Sequence, residues 1–148
     1  MNFQSLYKTT MENNLWINLP VKDISKSKAF FTEIGFKLNL KFTTKDAATF
    51  IVGDNQVVLM LFEKPTFHGF SQTENTDTNK GCEVLFSIAA ANNKEVDEMA
   101  AKAVKAGGTV FTEPAAKEGW MYGCGFCDLD GHRWNSLYID RSKMPKKE

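Results

Sequence analysis

The sequence predicts an α+β fold in which one domain is built from two similar βαβββ halves. Three observations predict this fold. A strand, a helix and a series of shorter apolar segments follow one another, and the same order then occurs a second time. The two predicted helices, and the two predicted hairpin turns, lie roughly 70–76 residues apart, so one shift maps half of the chain onto the other.

The first half is predicted to begin with a strand over residues 15–21 and a helix over residues 24–34. Asp23 precedes the helix, where its carboxylate can accept hydrogen bonds from the free amides of the first turn. Gly35 stands where the helix is expected to stop. A hairpin turn is predicted at Gly53-Asp54-Asn55. Apolar segments predict the three remaining strands of this half at residues 36–42, 47–52 and 57–62.

Residues 64–80 are rich in Thr, Asn and Ser, and they predict a loop that joins the halves. The second helix is predicted to begin at Asn92 or Asn93, with Glu95 near the capping-box position, and to end at Gly107-Gly108. Its apolar stripe has helical spacing and consists of Val96, Met99, Ala100, Ala103 and Val104. The strands predicted in this half cover residues 83–89, 109–112, 121–127 and 132–139, with a loop at 114–120 and a turn at Leu129-Asp130-Gly131.

Composition and charge limit the classes of function. The chain has 148 residues, of which 43% are hydrophobic and 24% charged, as expected for one globular domain. Lys plus Arg and Asp plus Glu number 18 each, so we expect neither nucleic acid nor a membrane as partner. Without a long apolar run or a signal-peptide pattern, a cytoplasmic location is expected. We place an N-terminal extension at 1–13, the domain at 14–140 with halves at 14–65 and 81–140, and a C-terminal tail at 141–148.

Six short segments occur in the order and spacing of a known family. They are Asn18-Leu19-Pro20-Val21-Lys22-Asp23, Ser27-Lys28-Ala29-Phe30-Phe31, Gly35-Phe36, Gly107-Gly108-Thr109, Tyr122-Gly123 and Asp128-Leu129-Asp130-Gly131-His132-Arg133-Trp134. Together they resemble the vicinal-oxygen-chelate superfamily, which includes glyoxalase I, bleomycin resistance proteins and extradiol dioxygenases. The resemblance implies a cupped, partly open mixed sheet that holds a small molecule. A homodimer is also expected, because such cupped modules often complete their cups by pairing.

The same resemblance implies four positions for metal ligands, one on the first and one on the fourth strand of each half. By spacing, these positions fall on Trp16, Met60, Glu83 and Asn135. An indole N–H is only a donor, and a thioether is a poor ligand for Mg²⁺, Mn²⁺, Zn²⁺ or Fe²⁺. We therefore predict no bound metal and no other cofactor. A divalent metal held by an altered set of ligands is the alternative.

Strand alternation predicts which side chains share the cup. The predicted ligand contacts are Trp16, Asn18, Met60, Glu83, Arg133 and Asn135. They form a mainly apolar pocket with a few polar points, as small-molecule sites do. Glu83 is the only catalytic candidate, as a general acid or base if it is buried without a partner. The alternative interpretation places Trp16 and Met60 in the core and pairs Glu83 with Arg133 or with solvent.

Cys124 and Cys127 are spaced like a redox or zinc pair, but they fall in a predicted strand, where residues i and i+3 point to opposite faces. No second pair of Cys or His completes a tetrahedral zinc site. We predict that both are structural thiols without a disulfide or a metal. His132 lies beside a predicted turn, which favours a structural residue of the hairpin over a metal ligand.

Three functions remain open at this point. The favoured one is a metal-free protein that binds a small, partly apolar molecule in the cup of the sheet. The second is an enzyme, either a divalent-metal-dependent lyase or dioxygenase of the glyoxalase or extradiol-dioxygenase kind, or one that uses Glu83 as acid or base. The third is an interaction module whose edges mediate assembly. Because one fold supports many functions, the resemblance does not decide among them.

Overall fold

The computed structural model describes residues 15–54 and 57–146. The predicted N-terminal extension and Asn55 of the first predicted turn lie outside these ranges. Within them the chain forms eight strands and three α-helices, and none of these helices is long and apolar enough to cross a bilayer.

The first half contains four strands and the helix that follows the first of them. The elements are β1 (Trp16–Val21), α1 (Ile24–Glu33), β2 (Lys37–Leu38), β3 (Ala47–Val52) and β4 (Val57–Glu63). The strand order in the sheet is β1-β4-β3-β2, with β1 parallel to β4 and the other pairs antiparallel.

The second half repeats this topology. Its elements are β5 (Leu85–Ala89), α3 (Asn93–Lys105), β6 (Thr109–Lys117), β7 (Met121–Cys127) and β8 (Arg133–Ile139), after an intervening helix α2 (Lys64–Ser71). The strand order is β5-β8-β7-β6, and β5 is parallel to β8. The predicted α+β fold with two βαβββ halves is confirmed, and each half has its own open four-stranded mixed sheet.

The helix ends follow from the capping residues that the sequence supplies. Asp23 accepts a hydrogen bond from the Lys26 amide at 3.0 Å, and Asn92 accepts one from the Glu95 amide at 3.0 Å. Because these side chains satisfy amides that lack a partner within the helix, they fix where α1 and α3 begin. The predicted helix starts are thereby confirmed.

Three strands, β2, β5 and β6, differ from the prediction by two residues or more at one end. The predicted strand over residues 36–42 is only the two-residue β2, because a 3₁₀ turn over Leu40–Phe42 replaces its second part. The Asn39 side chain accepts from the Lys41 amide and so stabilises this turn locally. β5 begins two residues later than predicted, at Leu85, and β6 continues through the predicted loop to Lys117 with shifts in its register around Pro114.

Helix α2 is the largest departure from the prediction, which placed a loop over the whole of residues 64–80. The segment is polar in composition, but it carries two aromatic residues three positions apart. Phe67 packs against the cluster around Met60, and the ring of Phe70 lies 5.2 Å from that of Phe62, edge to face. Tertiary packing therefore stabilises a helix that the local sequence does not favour.

The two halves share one hydrophobic core. Phe31 of α1 lies at its centre, with its ring 5.5 Å from that of Trp134 on β8 and 5.8 Å from that of Phe50 on β3. Val96 and Ala103 of α3 are fully buried in the same core, as the predicted stripe requires. Val104 was wrongly included in that stripe and is 57% exposed. Removing either half would therefore open the core of the other.

A hairpin of the second half also holds the first half through hydrogen bonds. The carboxylate of Asp130, in the turn between β7 and β8, accepts from the Lys22 amide at 2.7 Å and from the Ser27 hydroxyl at 3.2 Å. Its carbonyl accepts from the Thr78 hydroxyl at 2.6 Å. One turn thus binds the β1–α1 connection and the segment between the halves.

Candidate functional site

The candidate site is a cleft of about 710 Å³ between the two halves, which we call the seam cleft. Strand β1 forms one wall, and the segment from α2 to β5 and the start of β8 form the rest. Apolar side chains cover most of its surface, and they include Trp16, Phe67, Val84 and Phe86. This composition is typical of a site for a small, partly apolar molecule.

We call the face of each sheet that is turned away from the shared core its outer face. The outer faces carry the predicted cup residues that lie in strands. Strand alternation predicts these faces correctly for most positions. Ile17, Leu19, Leu59, Leu61, Phe86, Ile88, Trp134 and Tyr138 pack in or against the core, whereas the neighbouring residues point to the other face. Val84 would share the core face by the same alternation, but it lies before β5 and is 51% exposed.

The structure brings four of the six predicted contact residues to the seam cleft: Trp16, Asn18, Glu83 and Arg133. Met60 is not among the lining residues. It is 6% exposed and is buried with Ala47 and Phe62 beneath Phe67 of α2. Asn135 lies on the outer face two residues beyond Arg133, outside the lining of the seam cleft.

Glu83 has a different position from the one that the spacing predicts. Its residue lies before β5, and the pairing of β5 with β8 places Leu85 opposite Arg133 just as Trp16 lies opposite Val58. Leu85 is therefore the counterpart of Trp16 in the second half. The glutamate is exposed, so the burial on which its proposed acid–base role depends is not present.

The side chains at the four positions that the resemblance implies for metal ligands are together a poor set of ligands for a divalent metal. With Leu85 in the place assigned to Glu83, the four side chains are an indole, a thioether, an isobutyl group and an amide. Only the amide oxygen of Asn135 is a useful ligand for a hard cation. Within residues 15–54 and 57–146, no group of three or more His, Cys, Asp or Glu side chains is arranged to hold a metal ion.

Arg133 lies where the seam cleft meets a second cleft of about 670 Å³, which we call the hairpin cleft because the β7–β8 turn lines it. Its guanidinium carbon lies 4.4 Å from the centre of the Phe111 ring. Gly125 permits this arrangement, because a Cβ atom there would overlap the Phe111 ring. The guanidinium is thereby held against an aromatic surface on the outer face of the second half.

Asp128 organises the β7–β8 hairpin, a role that was not predicted from the sequence. The carboxylate is almost fully buried and accepts from the amides of Asp130 and His132 and from the indole N–H of Trp134. His132 Nδ1 lies 2.8 Å from its Oδ2. His132 is therefore a structural residue of the hairpin, as predicted. The Asp-x-Asp-Gly-His pattern is the sequence signal that indicates the role of the Asp128 carboxylate.

The two cysteines of β7 lie on opposite faces, as strand parity predicts. Cys124 faces the core, and its thiol lies 3.7 Å from the Val96 carbonyl. Burial raises the pKa of the Cys124 thiol. Burial also raises the pKa of the Cys127 thiol, while the nearby Arg133 charge acts in the opposite direction. Neither thiol therefore has the lowered pKa that is typical of redox-active cysteines.

Comparisons with known proteins give one partial family match and several similar structures. A family model for the bleomycin resistance protein-like N-terminal region matches residues 14–53. The hypothetical protein SA1046 of S. aureus is similar at 35% identity and a TM-score of 0.76, covering 90% of this chain and 99% of that one. No curated protein matches the chain.

Less similar structures share the fold alone. A glyoxalase/bleomycin resistance protein/dioxygenase family enzyme from Burkholderia phytofirmans is 15% identical with a TM-score of 0.71, covering 84% of this chain and 96% of that one. A lactoylglutathione lyase from Agrobacterium tumefaciens is 18% identical with a TM-score of 0.58, covering 86% and 93%. These identities carry no residue roles to this chain.

Proposed function

We propose that the chain is a member of the vicinal-oxygen-chelate superfamily of glyoxalases, bleomycin resistance proteins and dioxygenases, and that it binds a small, partly apolar molecule between its halves without a metal. The observation that carries the proposal is the seam cleft itself. Its volume of about 710 Å³ lies within the range of small-molecule sites, roughly 300–1,000 Å³. Its walls are mainly apolar, and it has a few polar groups that can orient a ligand.

Each predicted contact residue has a distinct part in this proposal. Trp16 offers a large flat surface, while Asn18 and Glu83 supply hydrogen-bonding groups along β1 and the facing segment. Arg133 supplies the positive charge. Met60 supports the wall from behind, because its side chain packs in the cluster that also contacts Trp16. Asn135 extends the polar surface along β8.

Trp16 emission can test whether the cleft takes a ligand. In a Trp120→Phe background, only Trp16 and the buried Trp134 remain as indole fluorophores. We expect a saturable change in emission on titration with small aromatic and aliphatic probes, and no such change in the additional Trp16→Phe variant. Equal responses with and without Trp16 would count against binding in the seam cleft.

A blocking variant sharpens this test. Val84→Trp adds bulk to an exposed residue of the cleft wall, and we expect it to abolish the titration. Val104→Trp is the matched control, because Val104 is similarly exposed on α3 but lines neither cleft described above. Since both sites are solvent-exposed, neither substitution should change the thermal midpoint by much.

An enzyme is the second candidate, because Glu83 and His132 both line the seam cleft. In this candidate Glu83 removes or supplies a proton on a bound substrate. A metal-dependent lyase or dioxygenase reaction would need ligands that the four positions do not provide. The test compares turnover by the wild-type protein with turnover by Glu83→Gln on any ligand found in the titrations. Unchanged turnover in this variant would exclude the role.

We also propose that two copies form a homodimer through the outer face of the second half. This face leaves Leu85, Phe111 and Ile139 exposed by 51%, 40% and 42%. Pairing would bury apolar surface that now contacts water. Light scattering should give twice the monomer mass, and Leu85→Lys should lower it. A monomer at high concentration would contradict the proposal.

A further inference from the structure

We propose that Arg133 binds the carboxylate of the ligand, so that the small molecule taken by the seam cleft is a monocarboxylic acid with an apolar body. This inference deepens the proposed function and rests on it. The carboxylate is placed at the junction of the β8 start and the cleft, and the hydrocarbon part is placed along the apolar walls.

The Arg133 side chain supplies a positive charge to the lining of the seam cleft. Across the described residues it makes no ion pair and no hydrogen bond, although the residue is partly buried. A guanidinium carries five N–H donors in a planar fork. A partly buried cation without a counter-ion favours an anion that can enter the same space.

The two carboxylates of the same hairpin, Asp128 and Asp130, already bind other groups of the protein. Asp128 is engaged by His132 and Trp134, and Asp130 is engaged by the Lys22 amide and the Ser27 hydroxyl. Each of these contacts fixes the hairpin or joins the halves. Arg133 is therefore left available beside two acids that already have partners.

Phe111 holds the Arg133 guanidinium in place. The guanidinium carbon lies over the Phe111 ring, 4.4 Å from the ring centre, in the hairpin cleft. Because Gly125 lacks a Cβ atom, the Phe111 ring lies directly on β7 and supports this contact. A cation–π contact uses no hydrogen-bond acceptor of the protein, so the N–H donors of the guanidinium keep their capacity to bind the two oxygens of a carboxylate.

The charges that line the seam cleft favour a carboxylate over a more highly charged anion. Arg133 is the only Lys or Arg among the described residues that line the seam cleft, while Glu74 and Glu83 line it as well. A phosphate dianion would meet two negative charges and one positive charge. A carboxylate carries one charge, and its hydrocarbon body would contact Val84 and Phe86, two apolar residues that line the same cleft.

The test uses matched pairs of probes with the same hydrocarbon body, of which one ends in a charged carboxylate and the other in a neutral amide. Phenylacetate, 3-phenylpropionate, 4-methylpentanoate and hexanoate are each compared with their primary amide, by calorimetric or ligand-detected NMR titration. We expect at least one acid to bind about 10-fold more tightly than its amide, as charge-assisted bidentate hydrogen bonds allow. Phenyl phosphate is included to test the phosphate alternative.

Three variants assign the preference to one side chain. Arg133→Gln should weaken the acid by about 10-fold and leave the amide within about twofold, because only the charge-assisted contact is lost. Arg133→Lys keeps the charge without the fork and should give an intermediate value, and it remains informative if the glutamine variant folds poorly. Lys64→Gln is the control, since Lys64 lines the hairpin cleft but not the seam cleft.

Each outcome decides the proposal. Loss of the acid preference in Arg133→Gln with retention in Lys64→Gln supports it. Equal binding of acids and amides overturns the carboxylate assignment but leaves the proposed function intact. Tighter binding of phenyl phosphate that depends on Lys64 overturns it in favour of an anion in the hairpin cleft. If no acid and no amide binds, and no probe changes the Trp16 emission, both this inference and the proposed function are overturned.

Discussion

The two halves have the same topology, but their outer faces are covered differently. In the first half, α2 lies across the outer face and buries Met60 and Phe62 beneath Phe67. In the second half no helix of the described residues covers that face, and Leu85 and Phe111 remain exposed. The repeated fold thus provides one closed wall and one open surface. Duplicated topology does not imply duplicated sites, because the segment between the halves belongs to only one of them.

The prediction with the largest expected effect concerns the hydrophobic core that the two halves share. Phe31→Ala removes the ring that contacts both Phe50 and Trp134. We expect a loss of about 3–5 kcal/mol in the free energy of unfolding, as for other buried aromatic residues. Denaturant unfolding followed by Trp emission and by circular dichroism should show one shared transition. Two separate transitions would show that the halves fold independently.

The next prediction concerns the packing of α2 on the outer face of the first sheet. Phe67→Ala removes the ring that α2 places over Met60, and we expect a loss of about 2 kcal/mol, because the side chain is only partly buried. Phe70→Ala is the matched control, since Phe70 is on the same helix but 62% exposed. Its cost should be smaller. Equal costs would mean that α2 does not protect the outer face through Phe67.

The third prediction concerns the three cysteines, of which Cys124 and Cys127 lie on opposite faces of β7. We expect iodoacetamide at about pH 8 to modify exposed Cys82 first, partly exposed Cys127 more slowly and buried Cys124 only on unfolding, because burial limits access and disfavours the thiolate. The raised thiol pKa values also mean that folding is favoured while the thiols are neutral, and that this contribution is lost as pH rises through the folded-state values. Mass spectrometry of the peptides measures the order. A Cys124–Cys127 disulfide in the non-reduced protein would contradict it.

The smallest expected effect is that of divalent metals. Mg²⁺, Mn²⁺, Ni²⁺, Zn²⁺ and Fe²⁺ should each shift the thermal midpoint by less than about 1 °C, because an ion without adequate ligands gains little over its hydrated state. Elemental analysis of the purified protein should give no stoichiometric metal. One equivalent that is lost in Glu83→Ala would overturn this expectation and restore the metalloenzyme alternative.

Local signals predicted the elements that local interactions determine. Asp23 and Asn92 are capping residues whose hydrogen bonds are made within three residues, and the starts of α1 and α3 were found from them. Continuous apolar runs likewise gave the extent of β3 and, to within one residue, that of β4, and the alternation of strand side chains gave the two faces of β4. These features need no knowledge of the rest of the chain.

Features that depend on distant partners were missed. The packing of Phe67 and Phe70 on the first sheet turns a polar segment into α2, and nothing within residues 64–80 indicates that sheet. Spacing alone also placed Glu83 in a strand, whereas the pairing of Leu85 with Arg133 sets the start of β5. The alternation of side chains thus predicted which faces of the strands carry the candidate site. The residues that line it depend on the strand register and on the segment between the halves.

The hydrogen bonds of Asp130 have a consequence for the order in which the protein folds. The aspartate and the Lys22 amide are separated by 108 residues in sequence, and the contact closes a loop that contains most of the chain. Loops of this length close slowly relative to local helices and hairpins. During synthesis from the N-terminus, the β1–α1 connection must wait for the penultimate strand and its turn to emerge before it gains this partner. We therefore expect the seam cleft to be among the last parts of the protein to form. A ligand would then bind only after most of the chain has folded.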